Sequence, residues 1–234
     1  MATKENIIFA LDADSLAKAS PYVEALSPFV GMFKVGLELI TAQGAPSVIH
    51  HIQRLGGQVF FDGKFDDIPN TVGAASRAVS SMGVKMFNVH ASCGMDSIKA
   101  AADNKGASLL LVVTVLTSTS DDESKRIFGT PAHEKVIQFA QDAKAAGADG
   151  IICSPQELEL LAQLPDLRSL LKVTPGVRPE WAEANDQKRI LTPAQAMKMG
   201  ATHLVIGRPI SNPPRGIGTP IDAAKKILEE ILNC

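Results

Sequence analysis

Residues 61–72 hold the densest concentration of reactive side chains in the chain. Asp62 and Lys64 are two residues apart, so in an extended strand both side chains leave on the same side. Asp67 follows in the next loop, and Asn70 and Thr71 open a helical pattern. An amine flanked by carboxylates can hold a proton and deliver it to a carbon or oxygen nearby. Surface loops also collect incidental ion pairs worth little, but this segment directly follows the apolar run Val59-Phe60-Phe61. Two more charges occupy matching places. Asp12 closes the first apolar run, and Lys34 lies inside Met32-Phe33-Lys34-Val35. Lysine is seldom buried without a partner, and Asp62 on the next apolar run is the natural one. Lys34, Asp62, Lys64 and Asp67 would then form one array of alternating sign.

A second signal lies near the other end of the chain. The run 203–206 closes on Gly207-Arg208. Glycine lets backbone N–H groups approach an anion, and arginine clamps phosphate in a bidentate fashion. Residues 175–191 form a long segment without clear pattern, the kind of loop that serves as a lid or a binding loop. It carries Arg178, which could reach the same anion, and Gln187, which offers both donor and acceptor to a heterocycle edge. His50 and His51 lack ligand-spaced acids or cysteines and read as surface. His90 reads as structural, and Cys93 and Cys153 as small apolar packing groups.

These residues need a frame. Apolar runs at 7–11, 32–35, 58–61, 86–90, 108–113, 150–153, 171–174 and 203–206 are continuous rather than alternating, as expected for parallel strands covered on both faces. A helical pattern follows each. Gly56, Gly83, Gly106, Gly147 and Gly200 stand where helices should stop. Ser154-Pro155-Gln156-Glu157 and Thr192-Pro193-Ala194-Gln195 read as capping boxes, and Thr130-Pro131 and Thr219-Pro220 as further helix starts. Eight strand-helix units of about 29 residues each favour a closed (β/α)8 barrel, which typically needs about 250 residues, over an open doubly wound sheet. No linker or composition shift divides the chain, so residues 1–234 read as a single domain. In such a barrel, chemistry belongs at the C-terminal ends of the strands, which is where Asp12, Lys34, Asp62, Lys64, Asn88, Thr114, Thr117, Arg178 and Arg208 fall.

Composition sets the outer limits. The 234 residues are 45% hydrophobic and 21% charged, with a net charge of −2, values of an ordinary globular chain. Nothing there favours nucleic acid or an anionic membrane as partner. Three scattered cysteines fit a reducing compartment, and no apolar stretch reaches the roughly 20 residues of a membrane span. A soluble cytoplasmic protein is expected. The sequence holds no Gly-x-Gly-x-x-Gly, no phosphate-binding Walker loop and no metal-type cluster, which argues against a dinucleotide or nucleoside-triphosphate enzyme.

Taken together, the motifs resemble those of the orotidine 5′-phosphate decarboxylase family over essentially the whole chain. The resemblance rests on Phe9-Ala10-Leu11-Asp12, Phe33-Lys34-Val35-Gly36, Asp62-x-Lys64-x-x-Asp67-Ile68-Pro69-Asn70-Thr71, Val113-Thr114-Val115-Leu116-Thr117-Ser118, Thr174-Pro175-Gly176-Val177-Arg178 with Asp186-Gln187, and Val205-Ile206-Gly207-Arg208-Pro209-Ile210. It implies a (β/α)8 barrel acting as a homodimer and converting orotidine 5′-phosphate (OMP) to UMP without cofactor or metal. By position it implies Lys64 as proton donor, Asp62 beside the substrate carboxylate, and Lys34 completing the array. Asp67 and Thr71 would reach into the partner's site. Asp12 would hold the ribose, Thr117 the pyrimidine, and Arg178, Gln187, Gly207 and Arg208 the phosphate region. Gly63 and Asp66 depart from the pattern, where a larger residue such as Leu and a His are usual; Gly63 is expected to loosen the strand end, and Asp66 to add a charge beside the array. A Mg2+-dependent sugar-phosphate decarboxylase on the same scaffold and a non-catalytic phosphate-ligand binder are the competing readings.

Overall fold

The computed structural model describes residues 2–182 and 191–234. Eight strands form a closed parallel barrel in sequence order: β1 (Ile7–Ala10), β2 (Met32–Val35), β3 (Val59–Phe65), β4 (Met86–His90), β5 (Leu109–Val113), β6 (Gly150–Ile152), β7 (Leu171–Pro175) and β8 (His203–Ile206). Closure is direct, with Ile7 opposite Leu204 and Phe9 opposite Ile206. Each apolar run expected from the sequence is a strand, and the open-sheet alternative is excluded by that β1–β8 pairing.

Alternation within the strands divides the apolar residues into two cores. Ile8, Met32, Phe60, Met86, Leu111 and Val173 fill the barrel interior, while their sequence neighbours Ile7, Phe9, Phe33, Phe61, Phe87 and Val112 pack outward into the layer beneath the helices. A strand buried on both faces is mostly apolar, which is why these runs lack a polar alternation. Each large side chain taken fully out of water contributes about 1.5–3 kcal/mol.

The helix punctuation is largely as expected. Gly56, Gly83, Gly106, Gly147 and Gly200 all have left-handed φ, between 55° and 104°. Reciprocal capping bonds form at Ser154 and Glu157, Thr192 and Gln195, and Thr219 and Asp222. Thr130 departs from this. The helix Ala132–Ala145 begins after Pro131 with no side-chain cap of its own; instead Asp121 Oδ1 accepts the Ala132 N–H at 3.0 Å. The cap comes from the preceding helix, while the Thr130 hydroxyl is buried without a hydrogen bond among the described residues and its carbonyl accepts the Ser124 hydroxyl at 2.9 Å.

Candidate active site

The period of two that fills the barrel also builds the site. On three successive strands the inward position after an apolar residue is polar: Met32 is followed by Lys34, Phe60 by Asp62, and Met86 by Asn88. On the neighbouring strand Ala10 is followed by Asp12. The interior therefore changes from hydrocarbon to charge at one level near the C-terminal mouth.

Asp62 is the hub of this layer. Its Oδ2 lies 3.1 Å from Lys34 Nζ and its Oδ1 lies 2.6 Å from Lys64 Nζ. The Asn88 amide donates to the same Oδ1 at 2.7 Å. Asp12, two-thirds exposed at the mouth, stands 3.8 Å from Lys34 Nζ. Asp62 itself is 6% exposed. Such burial alone would raise a carboxyl pKa, yet the charges of Lys34 and Lys64, with hydrogen bonds from Lys64 and Asn88, outweigh it and hold the Asp62 pKa below the usual 3.8. The carboxylate is thus ionised throughout the neutral range. Leu11, Asp12, Lys34, Gly36, Asp62 and Lys64 line a cavity at this point of the rim.

Lys64 reaches Asp62 through a break in strand geometry. Between Phe61 and Phe65, β3 advances four residues while β4 advances two, from Phe87 to Val89. Lys64 sits in this bulge at φ 51°, the single left-handed non-glycine residue among those described. Its N–H is held by Asn88 Oδ1 at 2.8 Å. Asn88, fully buried, therefore bonds both the backbone of Lys64 and the carboxylate that Lys64 faces. Strain of this kind costs about 1–3 kcal/mol and persists where surrounding bonds over-determine it. The bulge also explains why β3 runs past its expected end at residue 61: the strand resumes pairing at Phe65 beyond the interruption. Sequence reasoning gave Asn88 no role beyond its place at a strand end. The available signal was an asparagine at the inward position of Met86-Phe87-Asn88-Val89, where an apolar side chain would otherwise be expected.

The remaining expected residues occupy other parts of the same rim. Thr117 is exposed and lines a cleft with Ser154, Pro175 and Gly176. Arg178, 6% exposed, and Arg208 share a pocket wall with Arg215 and Asn212. Gly207 closes against the first strand: a Cβ there would lie 3.3 Å from Ala10 Cβ and 3.6 Å from Asp12 Oδ2. Gln187 lies outside the described residues. Asp67 and Thr71 are exposed and make no ion pair or hydrogen bond with Lys64; Asp67 Oδ1 accepts the Ile68 N–H at 2.7 Å, and its carbonyl accepts the Ser97 hydroxyl at 2.8 Å. Within one chain the array is Asp12, Lys34, Asp62 and Lys64, and Asp67 stands apart from it. Asp66 accepts a hydrogen bond from Ser92 at 2.9 Å rather than pairing with either lysine.

Cys93, Cys153, His50 and His51 do not compete for a catalytic role. Burial, aided by Asp66, pushes the Cys93 thiol up to about 11, and burial, aided by Glu157, pushes Cys153 up to about 12, far from the thiolate a nucleophile needs. His50 is exposed, while His51 is half-buried and shares a 2.7 Å hydrogen bond with Ser20. Among the described residues, no group of three or more His, Cys, Asp or Glu side chains is placed to hold a metal ion.

With this geometry in view, residues 5–225 match the model of the orotidine 5′-phosphate decarboxylase / HUMPS family. The chain belongs to that family. Among the relatives of this decarboxylase-family chain are the orotidine 5′-phosphate decarboxylases of Geotalea daltonii, 45% identical over 98% of this chain and 97% of that one, and of Geobacter sulfurreducens, 44% identical over the same shares. The crystal structure of orotidine 5′-phosphate decarboxylase from Lactobacillus acidophilus superposes with a TM-score of 0.83 at 34% identity, covering 97% of this chain and 99% of the other. Among the described residues, no helix is long and apolar enough to cross a membrane.

Proposed function

We propose that this chain, as a single catalytic domain, decarboxylates orotidine 5′-phosphate to UMP and CO2 without a cofactor. The observation that carries the reading is the Lys34–Asp62–Lys64 array at the mouth of a barrel from this family. Loss of CO2 from C6 leaves an sp2 carbanion with no electron sink in the ring. Fixed charges must stabilise it, and a proton must then arrive at the same carbon. The Lys64 ammonium performs both tasks, and Asp62 keeps it aimed. Asp62 also meets the substrate's own carboxylate, while Lys34 joins Asp62 to Asp12, which holds the ribose. Thr117 holds the pyrimidine, and Arg178, Gly207 and Arg208, with Gln187, hold the phosphate region.

Magnitudes show why the distant groups matter. Opposite charges 4 Å apart are worth about 4 kcal/mol at an effective dielectric of about 20, whereas enzymes lower barriers by about 8–23 kcal/mol. One ion pair is insufficient, so phosphate binding energy must be used to hold the ring against the array. The functional unit is a homodimer in which Asp67 and Thr71 complete the partner's site. Their exposure and their separation from Lys64 within one chain support this, as does the adjoining Ile68, 66% exposed.

A spectrophotometric assay with OMP, with and without chelator, tests the reading. Substrate absorbance should fall in both, and Lys64→Ala should lose turnover by at least about 10³-fold while remaining folded. No turnover by the unaltered protein, dependence on added Mg2+, or a Lys64→Ala rate within about tenfold of the original would each overturn it. Mixing inactive Lys64→Ala and Asp67→Ala proteins should restore activity through one intact site in the mixed dimer; no recovery despite verified subunit exchange would remove the shared site.

A further inference from the structure

A missing side chain adjoins the proton donor. On the outward face of β3, positions 61, 63 and 65 read Phe, Gly and Phe. Gly63 is not among the left-handed glycines, so its backbone conformation does not call for glycine. Space does. A Cβ at Gly63 would lie 2.2 Å from Phe61 Cε1 and 3.0 Å from both Cδ1 and Cζ, far inside van der Waals contact. The Phe61 ring therefore lies along its own strand, over the bare backbone two residues on. The ring has little freedom to leave. Phe61 is 5% exposed, its centroid is 5.9 Å from that of Phe65, and Phe65 is 6.3 Å from Phe87. Phe87 in turn is the register partner of Phe61 on β4. The Phe61 and Phe65 rings, with Phe87 beyond Phe65, lie beside the stretch in which β3 breaks register and Lys64 takes its left-handed turn. Asn88 holds that turn from the inner side of the barrel, and the Phe61 ring occupies the outer side.

We infer that Phe61 and Gly63 are positioning residues: the ring seated on the glycine backbone fixes the bulge that presents Lys64 to Asp62. Gly63 then stiffens the strand end rather than loosening it. The inference deepens the proposed function, since it takes Lys64 as the proton donor.

In Gly63→Ala the new methyl and the Phe61 ring compete for one place. With the ring buried and packed against Phe65, the strand gives way and Lys64 shifts. Misplacement of a reacting group by about 1 Å can cost about 10²-fold in rate, so kcat for OMP should fall at least about tenfold. KM should stay within about twofold, because the arginine pocket is built by the segments that follow β7 and β8. Adding Phe61→Leu should relieve the clash and return kcat to within about threefold of the unaltered protein. A purely structural role would lower stability without this split between kcat and KM and without rescue. The crystal structure of Gly63→Ala gives a readout independent of turnover: the Lys64 Nζ–Asp62 Oδ1 separation should exceed its present 2.6 Å. Undiminished kcat with that separation unchanged, or a loss that Phe61→Leu does not relieve, overturns the inference. If the unaltered protein fails to convert OMP, the proposed function falls, and the crystallographic separation alone decides this point.

Discussion

On the β2–β4 side of the mouth, Lys34, Asp62, Lys64 and Asn88 are bonded to one another in a half-buried or buried layer. On the β7–β8 side, one pocket wall carries Arg178, Arg208 and Arg215, with no acidic residue among the described lining. The first region has its geometry set by bonds within the chain, and on the proposed mechanism charges already oriented need no reorganisation when charge develops. The second lines a pocket with three arginines, of which Arg208 and Arg215 are exposed. The contrast suits a division of labour in which one side discriminates the transition state and the other supplies affinity for an anion.

Substitutions that separate rate from affinity sharpen this contrast, and any that mix the two break it. The largest effect belongs to Asp62→Ala, which leaves two lysines facing each other without their shared carboxylate. UMP formation should fall about 10³-fold or more; a fall below about tenfold would deny Asp62 its central place. Next is Asn88→Ala, which frees the Lys64 N–H and removes a donor from Asp62. The expected result is about 10²-fold lower kcat with KM little changed, and about 1–3 kcal/mol lost in denaturant unfolding from the unsatisfied buried groups. Equal changes in kcat and KM would make Asn88 a part of the binding surface instead. Arg208→Ala should leave the array intact and weaken UMP binding about tenfold in calorimetry, with uridine binding unchanged and the salt dependence reduced. Equal weakening of both ligands would remove the phosphate assignment.

The smallest effect on turnover is at the opposite end of the barrel. Burial, with Lys85 adding to it, lowers the His203 pKa from 6.5 to about 4. Below pH 6.5 the unfolded chain takes up a proton that the fold refuses until about pH 4. Stability from this residue is therefore fully present above pH 6.5 and is lost as pH falls toward 4. His203→Gln should flatten that slope in thermal unfolding at pH 7 and pH 5, with turnover at pH 7 unchanged. A parallel slope in both proteins would show that the residue does not govern acid stability.

Particular residues show where sequence reasoning reached and where it stopped. The eight strands were legible because interior parallel strands are apolar throughout, and Lys34 with Asp62 because a lysine inside such a run demands a partner. The continuation of β3 to Phe65 was not legible, since it depends on Asn88, 24 residues away, standing in for broken ladder bonds. Gly63 shows a related limit: sequence records the absent side chain but not the Phe61 ring that lies over the gap. At Thr130 the local Thr-Pro pattern suggested a cap, and Asp121 from another helix supplied it. Asp67 sits in a conspicuous motif yet stands apart from the array in a single chain, and no spacing rule could have shown that.

The apolar floor under the charged layer has a consequence for traffic. Met32, Phe60 and Met86 are at most 2% exposed and seal the barrel below Lys34, Asp62 and Asn88. Among the described residues, this floor leaves Lys64 open toward the cavity at the mouth. On the proposed mechanism, Lys64 gives up its proton and is recharged through the mouth of the barrel, by which product also departs. On that reading replenishment and evacuation share a corridor.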